Sequence, residues 1–428
     1  MKTIKTNGYM KAIFIKRYLI TLVILVLATG STAFAQSYDM LIKGGHVIDA
    51  RNGIDRVMDV AISDGKIARV ANSIPASEAS KLVDASGLIV APGFIDLHAH
   101  YFWGTVSDRY LSNSFTALPP DGFTFRSGVT TAVDVGGAGW RNFDLFKEQV
   151  IDRSRTRILS FINIGGDGMS GLPEQNIDEM NPRMTALAAQ GNEEIVGVKI
   201  AHFRGFDWEP HRRAAEAGVL ADIPVMIDLG FSDEPLPLEK LFFEIYRPGD
   251  ILTHAYGSPI VSTGFKEAAV DENGRLRDHW VEAQENGFIF DVGHGGGSFF
   301  YDVARPATEQ GFWANTISTD IHTGSMNGGM KSMMNVVSKM IDLGMPLQEA
   351  IAASTWEPAK VINREDLGNL SEGAEADIVL IGQRTGDFGF IDTAGVVEPG
   401  DKRLETEVTI RAGRVVYDLN GIATERYR

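Results

Sequence analysis

With 428 residues, 44% of them hydrophobic and 22% charged, the chain can bury one large α/β core and a smaller domain beside it. It has no cysteine, which excludes disulfides, a thiolate nucleophile and Cys-ligated metal, so any ion must sit on His, Asp, Glu or a modified side chain. A net charge of −16 argues against nucleic acid or an anionic membrane surface as a partner.

Residues 1–35 read as an export signal. Lys11, Lys16 and Arg17 form a basic segment, residues 19–28 form a short apolar core, and Ala33-Phe34-Ala35 is a small-x-small cleavage site that puts the mature start at Gln36. Met10 is an alternative start. The apolar run falls short of the ~20 residues that span a bilayer, so no stable membrane insertion is expected after cleavage. Cleavage removes five basic residues and no acidic one, moving the net charge to −21. The protein is expected to be periplasmic or secreted, and a chain without cysteine tolerates an oxidising compartment.

Residues 36–91 carry short β-rich runs at 40–43, 46–49, 57–62, 66–70 and 88–91, punctuated by Gly44-Gly45, Asp64-Gly65 and Ser86-Gly87. Residues 92–362 then alternate strands with helical patterns. The predicted strands are 94–100, 130–135, 158–164, 196–202, 224–229, 251–254, 288–292 and 316–320; helical periodicity falls at 143–153, 212–217, 237–245 and 331–343. Eight strands with helical crossovers predict an α/β fold, a parallel (β/α)8 TIM barrel. The competing open doubly wound sheet lacks its Gly-rich fingerprint, since His-Ala-His follows the first strand. Residues 363–428 return to strand texture at 377–381, 406–411 and 414–417. Folding the two ends together gives one small β-domain around the barrel.

The first barrel strand ends in Pro92-Gly93-Phe94-Ile95-Asp96-Leu97-His98-Ala99-His100. Side chains two apart on a strand share a face, so His98 and His100 project together as half of a divalent-metal site. An isolated His-x-His is also an ordinary loop pair, but other strand ends carry similar chemistry. Lys199 lies in apolar Val-Gly-Val-Lys-Ile, Asp228 ends Pro-Val-Met-Ile-Asp, and His254 ends Ile-Leu-Thr-His. Asp291 precedes His294-Gly-Gly-Gly, and Asp320 and His322 end the eighth strand. Such a barrel carries its chemistry on this face.

These motifs, from Asp39-Met-Leu-Ile-Lys-Gly-Gly to Ala374-Glu-Ala-Asp-Ile-Val-Leu, resemble the amidohydrolase superfamily of metal-dependent hydrolases. Within it the chain is similar to the D-aminoacylase, dihydroorotase and amidohydrolase/deacetylase branch. The resemblance implies a β-sandwich built from both chain ends and a site for one or two divalent ions, usually zinc. It implies His98 and His100 as ligands of the more buried ion, Lys199 as a carboxylated lysine bridging two ions, and His254 as a ligand of the second. Asp320 would touch the first ion and carry the proton. Asp228 departs from the pattern, because the family places a histidine there; an aspartate ligates with shorter reach and added charge. His202 is a substitute ligand for that position.

The implied reaction is hydrolysis of an amide C–N bond, as in deacylation of an N-acyl amino acid, by a metal-activated water with Asp320 as proton carrier. His294, His322 and Arg204 are candidate substrate contacts, with Tyr101, Phe102, Trp103 and Trp140 as candidate pocket walls. Two other enzyme readings share this chemistry: a cyclic amidohydrolase of the dihydroorotase or hydantoinase kind, and an esterase or lactonase. A barrel that binds a small molecule without turnover is a reading of another class. The expected partner is a small amide substrate; assembly into a homo-oligomer stays open.

Overall fold

The structure, a computed structural model, describes residues 37–102, 104, 117–169, 173–205, 207–229, 237–258 and 267–424. The predicted export signal, residues 1–35, and Trp103 lie outside the described residues.

Two sheets organise the chain. The first takes strands from both ends: β1 (Tyr38–Asp49), β2 (Ile54–Ser63), β3 (Lys66–Ala71), β4 (Ala79–Asp84) and β5 (Ile89–Pro92). The second is made of β6 (Phe94–Ala99), β7 (Val129–Gly139), β8 (Arg157–Asn163), β9 (Ile195–Ala201), β10 (Val225–Asp228), β11 (Ile251–Leu252) and β12 (Ile289–Phe290). The chain then returns to the first sheet with β13 (Ile378–Ile391), β14 (Val397–Arg411) and β15 (Arg414–Asp418).

The first sheet is mixed, in the order β15-β14-β13-β5-β1-β2-β3, with β4 also paired to β1. β1 divides at a register shift between Ile42 and Gly45; its first half runs parallel to β4, and its second half pairs with β5. Met40, Ile42, Val60, Val83, Val90, Ile378, Leu380 and Val408 fill one buried cluster there. β4 is absent from the sequence reading because residues 79–84 expose every second side chain and show no apolar run. β13 and β14 also extend as a hairpin well past the predicted strands, because residues 382–389 are largely exposed and carry no apolar signal.

In the second sheet every pairing is parallel and neighbours follow in chain order from β6 to β12. The predicted eighth strand forms no regular ladder. Thr316 bridges in parallel to Asp291, and Ile321 to Ala99, at the two outer edges of this sheet. Between them Asp320 turns to φ +49°, a left-handed conformation that interrupts a strand. Helices Phe143–Gln149, Pro182–Gly191, Glu209–Ala221, Asp278–Glu285, Tyr301–Glu309 and Met333–Asp342 lie along the chain between or after these strands. Strand residues Phe94, Ile162, Val198, Ile227 and Phe290 pack with helix residues Trp280, Val337 and Met340 in the largest buried cluster. At about 25 cal/mol per Å² of apolar surface, burial of this kind is the main favourable contribution to folding.

Charge joins the two sheets at the N-terminal ends of the parallel strands. Arg157, which opens β8, pairs with Glu375 at 2.6 Å and Asp377 at 2.8 Å, and Arg411 of β14 shares both carboxylates. The opposite, C-terminal ends remain for the site. Among the described residues no helix is long and apolar enough to cross a membrane.

Candidate active site

His98, His100, Lys199, Asp228, His254 and Asp320 converge at the C-terminal ends of the parallel strands, and all six are buried. They form two overlapping groups, His98–His100–Asp320 and His98–Asp228–His254; within each, ligand-type atoms lie within 4.8 Å of one another. Oδ1 of Asp320 stands 2.9 Å from His100 Nε2 and 3.5 Å from His98 Nε2. Oδ2 of Asp228 stands 3.4 Å from His254 Nε2 and 3.2 Å from Lys199 Nζ, which in turn is 3.4 Å from His98 Nε2.

The backbone explains the convergence. His98 lies in β6 and His100 just beyond it, with ring centroids 5.4 Å apart. Main-chain bonds from Asp320 N to His98 O (2.7 Å) and from His100 N to Ile321 O (3.1 Å) dock the eighth segment against the first. Lys199 crosses beside Gly136, where a Cβ would come within 2.8 Å of its Cγ; glycine there leaves room for the lysine stem. Gly295 is equally constrained, since a Cβ would sit 2.2 Å from Asp320 Oδ2. His202, His254 and Asp320 hold φ of +55°, +62° and +49°, conformations that cost non-glycine residues of order 1 kcal/mol or more and cluster at functional sites.

Electrostatics sharpen the picture. Burial would raise the Asp320 carboxyl, but the facing His98 and His322 and the hydrogen bond from His100 hold it well below the usual carboxylate range. Burial acts the same way on Asp228, where Lys199, His254 and His202 outweigh it. His98 is pushed well below its ordinary value, first by burial and then by Lys199. It is therefore a neutral imidazole, the form that ligates metal. Nδ1 of His254 donates to Gly293 O at 2.6 Å, and its Nε2 stands toward Asp228 Oδ2 at 3.4 Å. Nδ1 of His100 is buried with no hydrogen-bond partner.

The remaining predicted residues divide. His322 borders the cluster: Gly324 N–H donates to its Nδ1 at 3.0 Å, so its proton sits on Nε2, 3.9 Å from Asp320 Oδ2. Arg204 is exposed on the loop after β9, its main-chain N–H donating to Gln175 Oε1. His294 is fully buried, with Nδ1 on Gly295 O, Nε2 accepting from Lys339 Nζ at 2.6 Å, and Phe299 stacked on its ring. It offers no free ring nitrogen to a substrate. The sequence offered it as a substrate contact, but the buried Lys339, on a helix remote in sequence, takes it up. Tyr101 and Phe102 are core residues, Phe102 packing on Phe146 at 5.2 Å. Trp140 is half-buried under Arg141.

Glu174 and Gln175 were missed by sequence reasoning. Gln175 Nε2 donates to His202 O (2.7 Å), and Glu174 Oε1 lies 3.5 Å from His202 Nδ1. His202 Nε2 reaches within 3.6 Å of Asp228 Oδ2, but His202 joins neither ligand group. Burial lowers the His202 imidazole, and the two carboxylates more than reverse this. An acid–amide pair in an irregular loop has no periodicity to reveal it.

A profile of the amidohydrolase family matches residues 314–417. A deacetylase of Agrobacterium fabrum is 31% identical over 373 residues, 85% of this chain and 86% of that one. A dihydroorotase of Streptococcus pneumoniae matches at 47% over 62 residues, 14% of each chain. Among solved structures, a crystal structure of an adenine deaminase superposes with a TM-score of 0.77 at 26% identity, covering 89% of this chain and 100% of that one. A site of imidazoles and carboxylates at the ends of parallel strands thus stands on a chain whose relatives act on C–N bonds. The chain belongs to the amidohydrolase family. It is a metal-dependent hydrolase acting on carbon–nitrogen bonds other than peptide bonds.

Proposed function

We propose that the chain removes an acyl group from a small N-acylated compound, an N-acyl amino acid being the favoured class. The observation that carries this reading is the pair of ligand groups sharing His98. Buried imidazoles with carboxylates suit zinc, a borderline ion that takes nitrogen and oxygen donors. His98, His100 and Asp320 would hold the first ion. His254, Asp228 and a carboxylated Lys199 would hold the second, because an unmodified ammonium between His98 and Asp228 would oppose a divalent ion, whereas a carbamate attracts it. A bound divalent ion supplies an activated water and positive charge against the developing oxyanion. Asp320, on the carboxylate oxygen nearest the ligand imidazoles, takes the proton from the attacking water and returns it to the leaving nitrogen. His322 donates from Nε2 to a substrate oxygen, and Arg204 receives the anionic end of the substrate.

The architecture proposed around this site is a closed eight-strand barrel over residues 92–362. The bridges Asp291–Thr316 and Ala99–Ile321 support closure. Residues 36–91 and 363–428 would form a β-sandwich, supported by the division of β1 between β4 and β5. Residues 1–35 would be a signal peptide directing the chain to the periplasm or outside the cell.

The short dihydroorotase match favours a second reading, opening of a cyclic amide. Metal analysis with a panel of N-acetyl amino acids, a dihydropyrimidine, a hydantoin and a lactone decides. Bound ion and preferred turnover of N-acyl amino acids supports deacylation. Preference for the rings selects the second reading, and ion without any turnover leaves a binding protein.

A further inference from the structure

A second circuit of buried polar groups lies behind the ligand cluster. Asp291, fully buried just past β12, accepts hydrogen bonds from three hydroxyls. Thr316 Oγ1 donates to Oδ1 at 2.7 Å; Ser318 Oγ and Thr253 Oγ1 donate to Oδ2 at 2.7 and 2.9 Å. Thr253 Oγ1 also lies 2.8 Å from His98 Nδ1.

Proton counting decides the direction of that last bond. A hydroxyl has one proton to give. The proton of Thr253 goes to Asp291, so toward His98 it can only accept, and the His98 proton sits on Nδ1. Ser318 is committed in the same sense, because its oxygen already accepts from Gly293 N–H at 3.0 Å and its proton goes to Asp291. On the far side of the ring Nε2 of His98 lies between Lys199 Nζ at 3.4 Å and Asp320 Oδ1 at 3.5 Å, so the Nδ1 side fixes the tautomer.

We propose that Thr253 and Asp291 are positioning residues that lock His98 in its Nδ1–H tautomer, presenting the Nε2 lone pair to the ion that His98, His100 and Asp320 would hold. The inference rests on the reading of His98 as a metal ligand. Hydrogen-bond partners of ligating imidazoles fix ring orientation and basicity, and their loss weakens metal binding about 10–100-fold.

Two measurements on the full chain test it. In zinc competition against a chromophoric chelator, Thr253→Val, which keeps the branched shape and loses the hydroxyl, should bind zinc about 10–100-fold more weakly than wild type. Thr253→Ser, which keeps the hydroxyl, should stay near wild type. In zinc-loaded wild type labelled with 15N-histidine, the His98 signal, assigned by its loss in His98→Gln, should show a proton on Nδ1. Wild-type affinity in Thr253→Val, or a His98 Nδ1 without a proton, overturns the proposal. If the valine variant does not fold, the wild-type spectrum decides alone. Absence of bound ion in wild type would overturn the metal reading and this inference with it, whereas equal binding by wild type and Thr253→Val overturns this inference only.

Discussion

The two ligand groups share His98 but differ in how their charges balance. On one side His98 and His100 face a single carboxylate, Asp320, and all three residues have the types the first ion requires. On the other, one carboxylate, Asp228, is surrounded by Lys199, His202 and His254 at 3.2, 3.6 and 3.4 Å. On the proposed reading the first side needs nothing added to hold an ion. The second has a cationic lysine beside its one carboxylate, so its metal binding should depend on the proposed carboxylation of Lys199. What the difference teaches is that two residue groups sharing one histidine can differ in how ready they are to hold an ion.

Asp320→Asn tests the complete side. It keeps an oxygen donor but cannot carry the proton, so turnover should fall about 10³-fold with metal still bound. More than a tenth of wild-type turnover in this variant, at equal metal content, would remove Asp320 from its role.

Lys199→Met tests the dependent side. Loss of the proposed carbamate should weaken second-ion affinity by about one to two orders of magnitude while the first ion stays. Reconstitution of wild type in bicarbonate-free buffer should show the same selective loss. Equal loss of both ions would mean that the two groups behave as one site.

A smaller effect is expected for Asp228→Ala. Second-ion affinity should fall by about tenfold, more than that of the first. One ion per chain in both proteins, with unchanged activity, would show that Asp228 is held by Lys199 and His202 as a structural carboxylate.

The smallest prediction uses an imidazole remote from both groups as a control. His211 is buried against Trp208 and Tyr246, and burial pushes it down to about 4. Its folded value lies below its ordinary 6.5, so as pH falls through that window the unfolded chain takes up a proton that the folded chain does not. Folding stability should therefore drop as pH falls, by about 1 kcal/mol between pH 6.5 and 5.5 from this group. Denaturant titrations of wild type and His211→Gln at the two pH values check it; an equal slope in both proteins would assign the pH dependence to other groups.

His98 and His100 were legible in the sequence because the His-x-His that ends an apolar strand was matched by polar residues at the ends of other predicted strands. Lys199 and Asp228 were legible for a related reason, as charged residues inside apolar strands. Less visible was whatever depends on partners distant along the chain. Thr253 reads as a strand residue until Asp291, 38 positions later, is seen to take its proton. His294 had the sequence context of a site residue, and Lys339, 45 positions on, shows it engaged within the protein. The hairpin of β13 and β14 carried little apolar signal beyond residue 381, because its solvent-facing polar residues follow no burial pattern. The eighth strand was predicted as regular, but its Thr316, Ser318 and Thr319 hydroxyls serve Asp291 and Asp96, and Asp320 turns out of the strand conformation.

The most direct measurement is removal and return of metal on the wild-type chain, followed by hydrolysis of N-acetyl amino acids and by metal analysis. Chelation should abolish turnover, and zinc with bicarbonate should restore it together with one to two ions per chain. Turnover that survives complete removal of the metal would contradict the account.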